Sequence, residues 1–262
     1  MRRKVSGTKD WTASTVNCCT GCSNNCRYCY AKGMAIRFKR LTAEEWPIER
    51  VRQKDVDRRQ RLCAGRIMFP SSHDITPGNF EACMTVLGKL IVGTGNEVLI
   101  VSKPRYDIIR EVCLEFREDR DKILFRFTIG AMDDEILMFW EPGAPSFEDR
   151  LDSLAYAFDS GYQTSISIEP MLDSENVIDL ILTVEPFVTD AVWLGKMNHI
   201  RKNLVIDSAE MEAAVRRIES GQTKERIKVL YEVLRDNPKN KWKSCMKHVL
   251  GLPLNDEPGL DI

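Results

Sequence analysis

The sequence predicts an α/β protein: a partial (β/α)6 TIM-like barrel followed by a C-terminal helical extension. Short apolar runs alternate with helical patterns through the first two hundred residues, which is typical of parallel βαβ units. The length of 262 residues suits one α/β barrel domain. Hydrophobic residues make up 43% of the chain and charged residues 29%, which excludes a disordered or fibrous protein.

Six runs of apolar and β-branched residues predict the strands, and each run ends where polar residues begin. The predicted strands cover residues 15–18, 66–69, 97–102, 123–129, 164–168 and 191–194. Six strands are too few for a closed eight-stranded barrel but sufficient for an open one. In barrels of this kind the functional residues gather at the carboxyl ends of the strands.

The segments between these strands show helical spacing. Ser146 followed by Asp149 resembles a capping box, apolar residues then recur at helical intervals, and Gly161 marks the end of the helix. The predicted helices cover residues 79–92, 106–116, 145–160 and 177–182 within the barrel, and 209–220 and 223–235 after it. We therefore predict a barrel domain at 1–205 and a helical extension at 206–262.

The chain carries no run of roughly 18 apolar residues, and its basic start is not followed by an apolar segment. We therefore expect a cytoplasmic protein with no membrane partner. The net charge is −1, but it is unevenly distributed. Residues 1–66 carry 16 Lys and Arg against 6 Asp and Glu, residues 67–215 carry 12 against 26, and residues 216–250 carry 10 against 4.

The two basic ends leave open an anionic partner, and solvated helix faces are the alternative. Residues 51–66 are basic and predicted to be helical. Together with the KNKWKS segment at 239–244 they could form a rim for a nucleic acid, with Trp242 offering a stacking face.

Five of the nine cysteines lie within twelve residues: Cys18, Cys19, Cys22, Cys26 and Cys29. In a cytosolic chain such clustering favours metal binding over disulfides. Three soft thiolate ligands in one loop, Cys22, Cys26 and Cys29, suit iron-sulfur or zinc. A zinc site needs four ligands, which Cys18 or Cys19 could complete, but the cysteine pairs then lie closer together than in zinc knuckles.

The spacing of Cys22, Cys26 and Cys29, with Tyr28 just before the last cysteine, resembles the motif of the radical S-adenosylmethionine (radical SAM) superfamily. This resemblance implies an oxygen-sensitive enzyme with a 4Fe-4S cluster held by the three cysteines. One iron would bind S-adenosylmethionine, and one-electron reduction would release a 5'-deoxyadenosyl radical that abstracts hydrogen from a substrate. It also implies a reductant such as flavodoxin or ferredoxin.

Within that superfamily the sequence resembles the spore photoproduct lyase-like branch over about residues 15–172. The likeness lies in the paired tyrosines of GCSNNCRYCYA, in SSHDI, VSKP and FRFTIG, and in the segment FWEPGAPSFEDRLDSLAYAFDSGYQTSISIEPM. By position, the resemblance implies a cofactor pocket lined by Tyr28, Tyr30, His73, Asp74, Lys103, Thr128 and Glu169.

Three of these positions also have simpler interpretations. The Lys103 ammonium at a strand end is a natural partner for a carboxylate, but it could be solvated. His73 could be a hydrogen-bonded histidine at a strand end. Asp74 could bind the amino group of S-adenosylmethionine or cap the turn that begins at Thr76.

The sequence departs from the branch at Ser71, which stands where photoproduct lyases carry a hydrogen-donor cysteine. A serine O–H bond is too strong for that role, so we do not predict photoproduct repair, and no catalytic residue is assigned. Gly195, Lys196 and Asn198 follow the sixth predicted strand, which suggests substrate or cosubstrate contacts or a simple turn. We expect Glu141 and Arg150 to form a local ion pair.

The sequence thus predicts a radical SAM enzyme acting on an unidentified substrate, with a nucleic acid or nucleotide as one candidate. The alternative is a non-catalytic nucleic-acid-binding protein stabilised by a metal, in which the cysteines hold zinc or a structural cluster and the basic ends contact phosphates.

Overall fold

The computed structural model describes residues 5–259, except the side chain of Asn203. The strands are β1 (Ser14–Thr15), β2 (Cys19–Thr20), β3 (Arg50–Val51), β4 (Ile67–Phe69), β5 (Val98–Ser102), β6 (Ile123–Thr128), β7 (Gln163–Ile168), β8 (Val192–Leu194) and β9 (Asn240–Trp242). Within this part of the chain, seven strands form one parallel sheet in the order β1-β4-β5-β6-β7-β8-β9, while β2 and β3 form a small antiparallel pair.

The predicted fold class is confirmed. All six predicted strands are present in the parallel sheet, and β1 and β9 are its two ends, so the barrel is open. The first strand is shorter than predicted, because the chain leaves the sheet after Val16 and pairs Cys19 with Val51 in the β2–β3 ribbon.

The helices are α1 (Tyr30–Arg37), α2 (Gln53–Asp57), α3 (Phe80–Ile91), α4 (Tyr106–Glu115), α5 (Asp134–Trp140), α6 (Phe147–Asp159), α7 (Val177–Val184), α8 (Ile200–Asn203), α9 (Ala209–Gly221), α10 (Lys224–Leu234) and α11 (Ser244–Leu250). The six predicted helices outside the basic segments are present. The predicted helix over 51–66 is wrong: only the five residues of α2 are helical there.

The predicted start and end of α6 are confirmed. Ser146 is its N-cap, and the Ser146 hydroxyl accepts a hydrogen bond from the Asp149 backbone N–H at 3.2 Å. The chain leaves the helix at Gly161, whose φ of +79° favours glycine. The buried residues Leu154 and Ala157 face the sheet and belong to the main apolar core between sheet and helices.

The two faces of the sheet bury different residues. Phe69, Ile100, Phe125 and Ile166 belong to the core between the strands and the outer helices. The neighbouring positions Met68, Leu99, Leu124 and Trp193 form a smaller apolar cluster with Trp11 inside the barrel. This alternation is expected of strands with side chains on both faces. A short 3₁₀ helix at Gly7–Asp10 brings Trp11 to the inner cluster.

The segment after residue 235 differs from the helical extension that we expected. Residues 240–242 form β9, which pairs with β8 in parallel, so the C-terminal part supplies a seventh strand. Trp242 is 8% exposed and packs against Tyr231, with ring centroids 5.1 Å apart. The prediction of Trp242 as a stacking face for a nucleic acid is therefore wrong. The division at 205/206 remains a prediction.

Residues 1–4, which begin the basic N-terminal end, lie outside the described residues. In the part of the chain that the structure covers, no helix has the length and apolar character needed to cross a membrane.

Candidate active site

A cavity of about 530 Å³ opens at the carboxyl ends of the parallel strands. All ten residues that the sequence analysis assigned to the metal or the cofactor line this cavity: Cys22, Cys26, Cys29, Tyr28, Tyr30, His73, Asp74, Lys103, Thr128 and Glu169. The structure therefore brings together positions that are spread over almost 150 residues of sequence, at the edge where barrel folds carry their sites.

The three cysteines lie on a loop between β2 and α1. The Cys22 backbone N–H donates to the Trp46 carbonyl at 2.9 Å, and Cys29 is the N-cap of α1. Gly21, with φ of +87°, precedes the loop, and a Cβ there would lie 2.5 Å from the Ile48 carbonyl oxygen. The loop can approach the 46–48 backbone only because residue 21 is glycine.

Cys18 and Cys19 do not face the cavity. The Cys18 Sγ lies 3.7 Å from the Cys83 Sγ, and the Cys19 Sγ donates to the Thr20 carbonyl at 3.6 Å. Neither residue lines the cavity wall. The cavity thus presents three thiols from the loop, without the fourth that a structural zinc or cluster would need.

The donor chemistry fits an iron-sulfur cluster with three protein ligands. Across residues 5–259, no three His, Cys, Asp or Glu side chains converge closely enough to enclose a single metal ion. A cubane cluster does not require such convergence, because each thiolate binds a different iron. Burial raises the pKa of Cys22 to about 12 and that of Cys26 well above its usual range, so cluster binding must displace thiol protons.

A buried polar network supports Tyr28. The Tyr28 hydroxyl donates to the Glu141 carboxylate, which forms an ion pair with Arg150 at 2.6 Å. Arg150 is fully buried and also donates to the carbonyls of Pro145 and Thr128. Glu141 and Arg150 therefore form the local ion pair that the sequence predicted, and that pair fixes Tyr28 beside the cysteine loop.

The turn between α5 and α6 packs directly on the cysteine loop. The Gly143 N–H donates to the Asn24 carbonyl at 3.1 Å, and a Cβ at Gly143 would lie 2.1 Å from the Ser23 carbonyl oxygen. Arg105 donates to the Asn24 side chain and to the Gly143 carbonyl. The EPGAPS turn is thus part of the support for the cysteines.

Asp74 and Lys103 are adjacent on the cavity wall. The Asp74 carboxylate accepts hydrogen bonds from the Asn24 amide, the Ser102 hydroxyl and the Lys103 backbone N–H, each at 2.8 Å. The turn after it is capped instead by Asn79, which accepts from the Thr76 N–H. Asp74 therefore does not act as the turn cap that we considered.

The Lys103 ammonium lies 4.0 Å from one oxygen of Asp74 and 4.0 Å from one oxygen of Glu141. It also lies 5.7 Å from the centre of the Tyr28 ring. Burial by itself lowers the pKa of Lys103, but the anionic groups around it raise the pKa well above the usual value. Within residues 5–259, no carboxylate thus lies within hydrogen-bonding distance of the Lys103 ammonium, which is a charged group at the cavity.

Both ring nitrogens of His73 are occupied. Nε2 faces the backbone N–H groups of Cys18 at 3.2 Å and Cys19 at 3.3 Å, so it is the acceptor. Nδ1 then carries the proton and donates to the Asp74 carbonyl at 3.0 Å. In this arrangement His73 joins the segment after β4 to the start of β2, and its side chain lines the cavity.

The second tyrosine of the loop reaches across the cavity wall to the end of β4. The Tyr30 hydroxyl donates to the Ser71 carbonyl at 2.5 Å, and the Asn17 amide donates to the Ser71 hydroxyl at 2.8 Å. Thr128 lies at the end of β6, and its carbonyl accepts from Arg150 at 3.2 Å. The hydroxyls of Tyr30 and Ser71 are thus fixed by hydrogen bonds to neighbouring segments of the chain.

A second wall of the cavity, around Glu169 and Lys243, contains a residue that the sequence analysis missed. The Lys243 ammonium lies 3.3 Å from a carboxylate oxygen of Glu169 and 3.3 Å from one of Asp10, and it donates to the Gly7 carbonyl at 2.7 Å. It also lies 3.7 Å from the centre of the Trp11 ring. Lys243 stands in a basic segment, and no local sequence pattern distinguishes it from Lys239, Lys241 and Lys247.

Gly195, Lys196 and Asn198 belong to this second wall. A Cβ at Gly195 would lie 2.7 Å from the Glu169 Cγ, so glycine is needed for the Glu169 side chain to pass. Lys196 and Asn198 line the cavity, and the Lys196 N–H donates to the Cys245 Sγ at 3.3 Å. Lys196 and Asn198 thus lie where the sequence predicted contacts with a bound molecule, and those contacts stay a prediction.

Solved structures with the same fold include two structures of spore photoproduct lyase. One is complexed with dinucleoside spore photoproduct, and the other is a variant with bound AdoMet and dinucleoside spore photoproduct. Each matches with a TM-score of 0.57 and 16% sequence identity, covering 92% of this chain and 79% of the lyase. This chain has the fold of spore photoproduct lyase. The resemblance predicted from the sequence is confirmed at the level of the fold.

Streptococcus suis SuiB bound to S-adenosylmethionine also matches, with a TM-score of 0.54 and 11% identity over 94% of this chain and 54% of SuiB. SuiB bound to the precursor peptide SuiA gives a TM-score of 0.55, also at 11% identity, over 92% of this chain and 51% of SuiB. This chain therefore spans about half of SuiB. No family model matches the sequence, and no curated protein is significantly similar to it.

Proposed function

We propose that the protein is a radical SAM enzyme. The observation that carries the proposal is the cavity itself, where three loop thiols and the charged Lys103 meet at the carboxyl ends of a partial barrel. The fold is shared with enzymes whose structures contain bound S-adenosylmethionine. Identities of 11–16% support only the fold, so the chemistry is inferred from the site.

In this proposal Cys22, Cys26 and Cys29 hold a 4Fe-4S cluster. When bound, such a cluster supplies one electron to S-adenosylmethionine and so releases a 5'-deoxyadenosyl radical. Asn24 and Gly143 fix the loop backbone, and Glu141 holds Tyr28 beside it. The protein groups thus provide a fixed set of thiols without a fourth thiol competing for the open iron.

We assign the recognition of S-adenosylmethionine to the wall around Lys103. Its ammonium has no hydrogen-bonded carboxylate partner, which leaves it available for the carboxylate of the cosubstrate. Asp74, positioned by three hydrogen bonds, offers its remaining acceptor capacity to the amino group. Tyr30, His73, Thr128 and Glu169 line the remaining space, in which the nucleoside would lie.

The hydrogen abstracted by the radical comes from a substrate other than the spore photoproduct. Ser71 lines the cavity with its hydroxyl bonded to Asn17, and it cannot replace a thiol as hydrogen donor. A nucleic acid or nucleotide substrate remains a proposal, now supported by the basic residues near the N-terminus and no longer by Trp242. Salt-dependent binding of an oligonucleotide would test it.

The experiment that tests the proposed function is anaerobic cluster reconstitution followed by reduction with dithionite in the presence of S-adenosylmethionine. We expect the wild type to bind iron and sulfide and to form 5'-deoxyadenosine, and Cys26→Ala to do neither. Cys19→Ala is the matched control, because Cys19 lies on β2 just before the loop and its thiol donates to a backbone carbonyl. A wild type that binds only zinc, or a Cys19→Ala protein that loses the cluster, would favour the non-catalytic metal-stabilised alternative.

A further inference from the structure

The outer side of α1 carries an unusual group of exposed residues next to the cysteine loop. Ala31 and Ala35 on its inner side pack with Trp46 and Cys22. The outer side is defined by six exposed residues, which we call the α1 face: Met34, Ile36, Arg37, Phe38, Lys39 and Arg40. Phe38 is 57% exposed, and the guanidinium carbons of Arg37 and Arg40 lie 5.8 and 5.7 Å from its ring centre.

The α1 face is strongly cationic. Residues 27–40 contain five Lys and Arg and no Asp or Glu. Among residues 5–259, Arg37, Lys39 and Arg40 have no ion-pair partner, whereas most other arginines near the cavity are paired or hydrogen-bonded. Exposed apolar side chains surrounded by unpaired cations are typical of a surface that meets an acidic protein.

Lys39 adopts a backbone conformation that favours glycine. Its φ is +52°, and it follows the helix end as the C′ residue: the Lys39 N–H donates to Ile36 and the Arg40 N–H to Ala35, each at 2.9 Å. A lysine in this conformation is strained, and among residues 5–259 its ammonium has no hydrogen bond or ion pair that offsets the strain. Glycine would suit the backbone at position 39 better than lysine.

We infer that the α1 face docks an acidic one-electron donor protein, an inference that rests on the proposed function. Cys29 is the N-cap of α1, and Arg37 lies about 12 Å further along the helix at 1.5 Å per residue. A protein bound at this face would therefore sit beside the proposed cluster. One electron passes from the reduced donor to the cluster; the donor is oxidised by one electron, and no bond or proton is transferred.

The test compares two reductants on the reconstituted holoenzyme. The rate of cluster reduction is followed by its visible absorbance, first with dithionite and then with a reduced acidic flavodoxin. For Arg37→Glu/Arg40→Glu we expect the flavodoxin-driven rate to fall about tenfold or more at low salt, with a smaller loss at high salt. The dithionite-driven rate should stay unchanged. Lys224→Glu/Lys228→Glu on α10 makes the same charge change at exposed positions and should leave both rates unchanged.

The outcomes separate this inference from the proposed function. Failure of dithionite to reduce a reconstituted wild type would overturn the proposed function, whereas an unchanged flavodoxin-driven rate in Arg37→Glu/Arg40→Glu would overturn only the docking site. Loss of oligonucleotide binding in that variant, with electron transfer intact, would also overturn it and would assign the face to a nucleic acid.

Lys39→Gly provides a second, independent check. Removal of the strain should raise the melting temperature by about 2 °C, while loss of the charge should slow reduction by flavodoxin. A faster or equal flavodoxin-driven rate in this more stable variant would contradict a docking role for Lys39.

Discussion

Two lysines line the cavity, each close to two carboxylates, yet their surroundings differ. Lys103 lies 4.0 Å from Asp74 and 4.0 Å from Glu141, and both of these carboxylates have other partners. Lys243 lies 3.3 Å from Asp10 and 3.3 Å from Glu169, and it also donates to the Gly7 carbonyl. Its side chain is 1% exposed, compared with 12% for Lys103.

This difference agrees with the binding role that we propose for Lys103 and with a structural role for Lys243. The Lys243 ammonium lies near oxygen atoms of Asp10, Glu169 and Gly7 and above the Trp11 ring. It therefore joins the 3₁₀ helix at Gly7–Asp10 to the ends of β7 and β9. Lys103 has its charge at the cavity but no short ion pair, so a ligand carboxylate would add a contact that the protein does not supply. Burial and charge alone do not distinguish the two roles; the distances to the surrounding oxygens do.

The largest expected effect is that of Lys243→Met. The substitution leaves the carboxylates of Asp10 and Glu169 without their buried partner, and we expect the free energy of unfolding to fall by about 3–5 kcal/mol. Denaturant titration of the purified variant measures this. A decrease in the free energy of unfolding of less than about 1 kcal/mol would contradict a structural role for Lys243 and the proposed difference between Lys243 and Lys103.

Lys103→Met should affect binding rather than folding. Asp74 keeps three hydrogen bonds and Glu141 keeps Arg150, so we expect a stability change of less than about 1 kcal/mol. The Kd for S-adenosylmethionine on the reconstituted enzyme should rise about 10- to 100-fold, as expected for loss of a charge-assisted contact. Isothermal titration calorimetry gives the value. Unchanged affinity would remove Lys103 from the proposed site.

Glycine-to-alanine changes sharpen the comparison of the two walls. Gly143→Ala collides with the Ser23 backbone and should displace the cysteine loop, so that less iron is bound after reconstitution. Gly195→Ala collides with the Glu169 side chain and should cost about 1–3 kcal/mol of stability with full iron content. Gly88→Ala in α3, where a Cβ meets nothing within 4 Å, is the control and should stabilise the fold slightly. Equal iron content in Gly143→Ala and wild type would show that the loop does not depend on this turn.

The smallest effect concerns the titration of Glu169. Burial raises the pKa of Glu169 even though Lys243 opposes this, so the folded protein holds the proton more tightly than the unfolded chain. The contribution of this group to stability is therefore present at low pH and is lost as the pH rises from the unfolded pKa of about 4.3 through the folded one. This loss of stability should lower the melting temperature of the cluster-free protein between mildly acidic and neutral pH. In Glu169→Gln, which lacks the titrating group, the melting temperature should fall less over the same pH range. A steeper fall in the variant would contradict the sign.

The wall around the cysteines could be predicted from sequence because its signals are local. The spacing of Cys22, Cys26 and Cys29 is contained in eight residues, and the strands before Asp74 and Lys103 are clear apolar runs. Lys103 directly follows β5 and Asp74 lies five residues after the end of β4, so parallel pairing of these strands brings the two residues to one edge.

The part of the second wall around β9 and Lys243 could not be predicted in this way. β9 has three residues, too few for alternation to be visible, and its place depends on pairing with β8. A lysine is rarely buried, so Lys243 and the neighbouring Trp242 were interpreted as exposed. In the segment 51–66 a helix was predicted where only the short α2 is present. The basic residues of this segment suit a helix, but Val56 is the only buried residue of α2, so no continuous apolar face holds a longer helix against the barrel.

The hydrogen bonds around Lys243 join the two ends of the described chain. The Lys243 ammonium donates to Gly7, 236 positions earlier in the chain, and the Ser244 backbone N–H donates to Asp10, 234 positions earlier. Backbone hydrogen bonds also join Val5 to Asn255 and Gly259 to Lys9. During synthesis the amino-terminal strands and the cysteine loop leave the ribosome first, but the second wall forms only after residue 243 has emerged. In a nascent chain the cysteine loop therefore emerges first, and the part of the cavity that Lys243 lines is completed last.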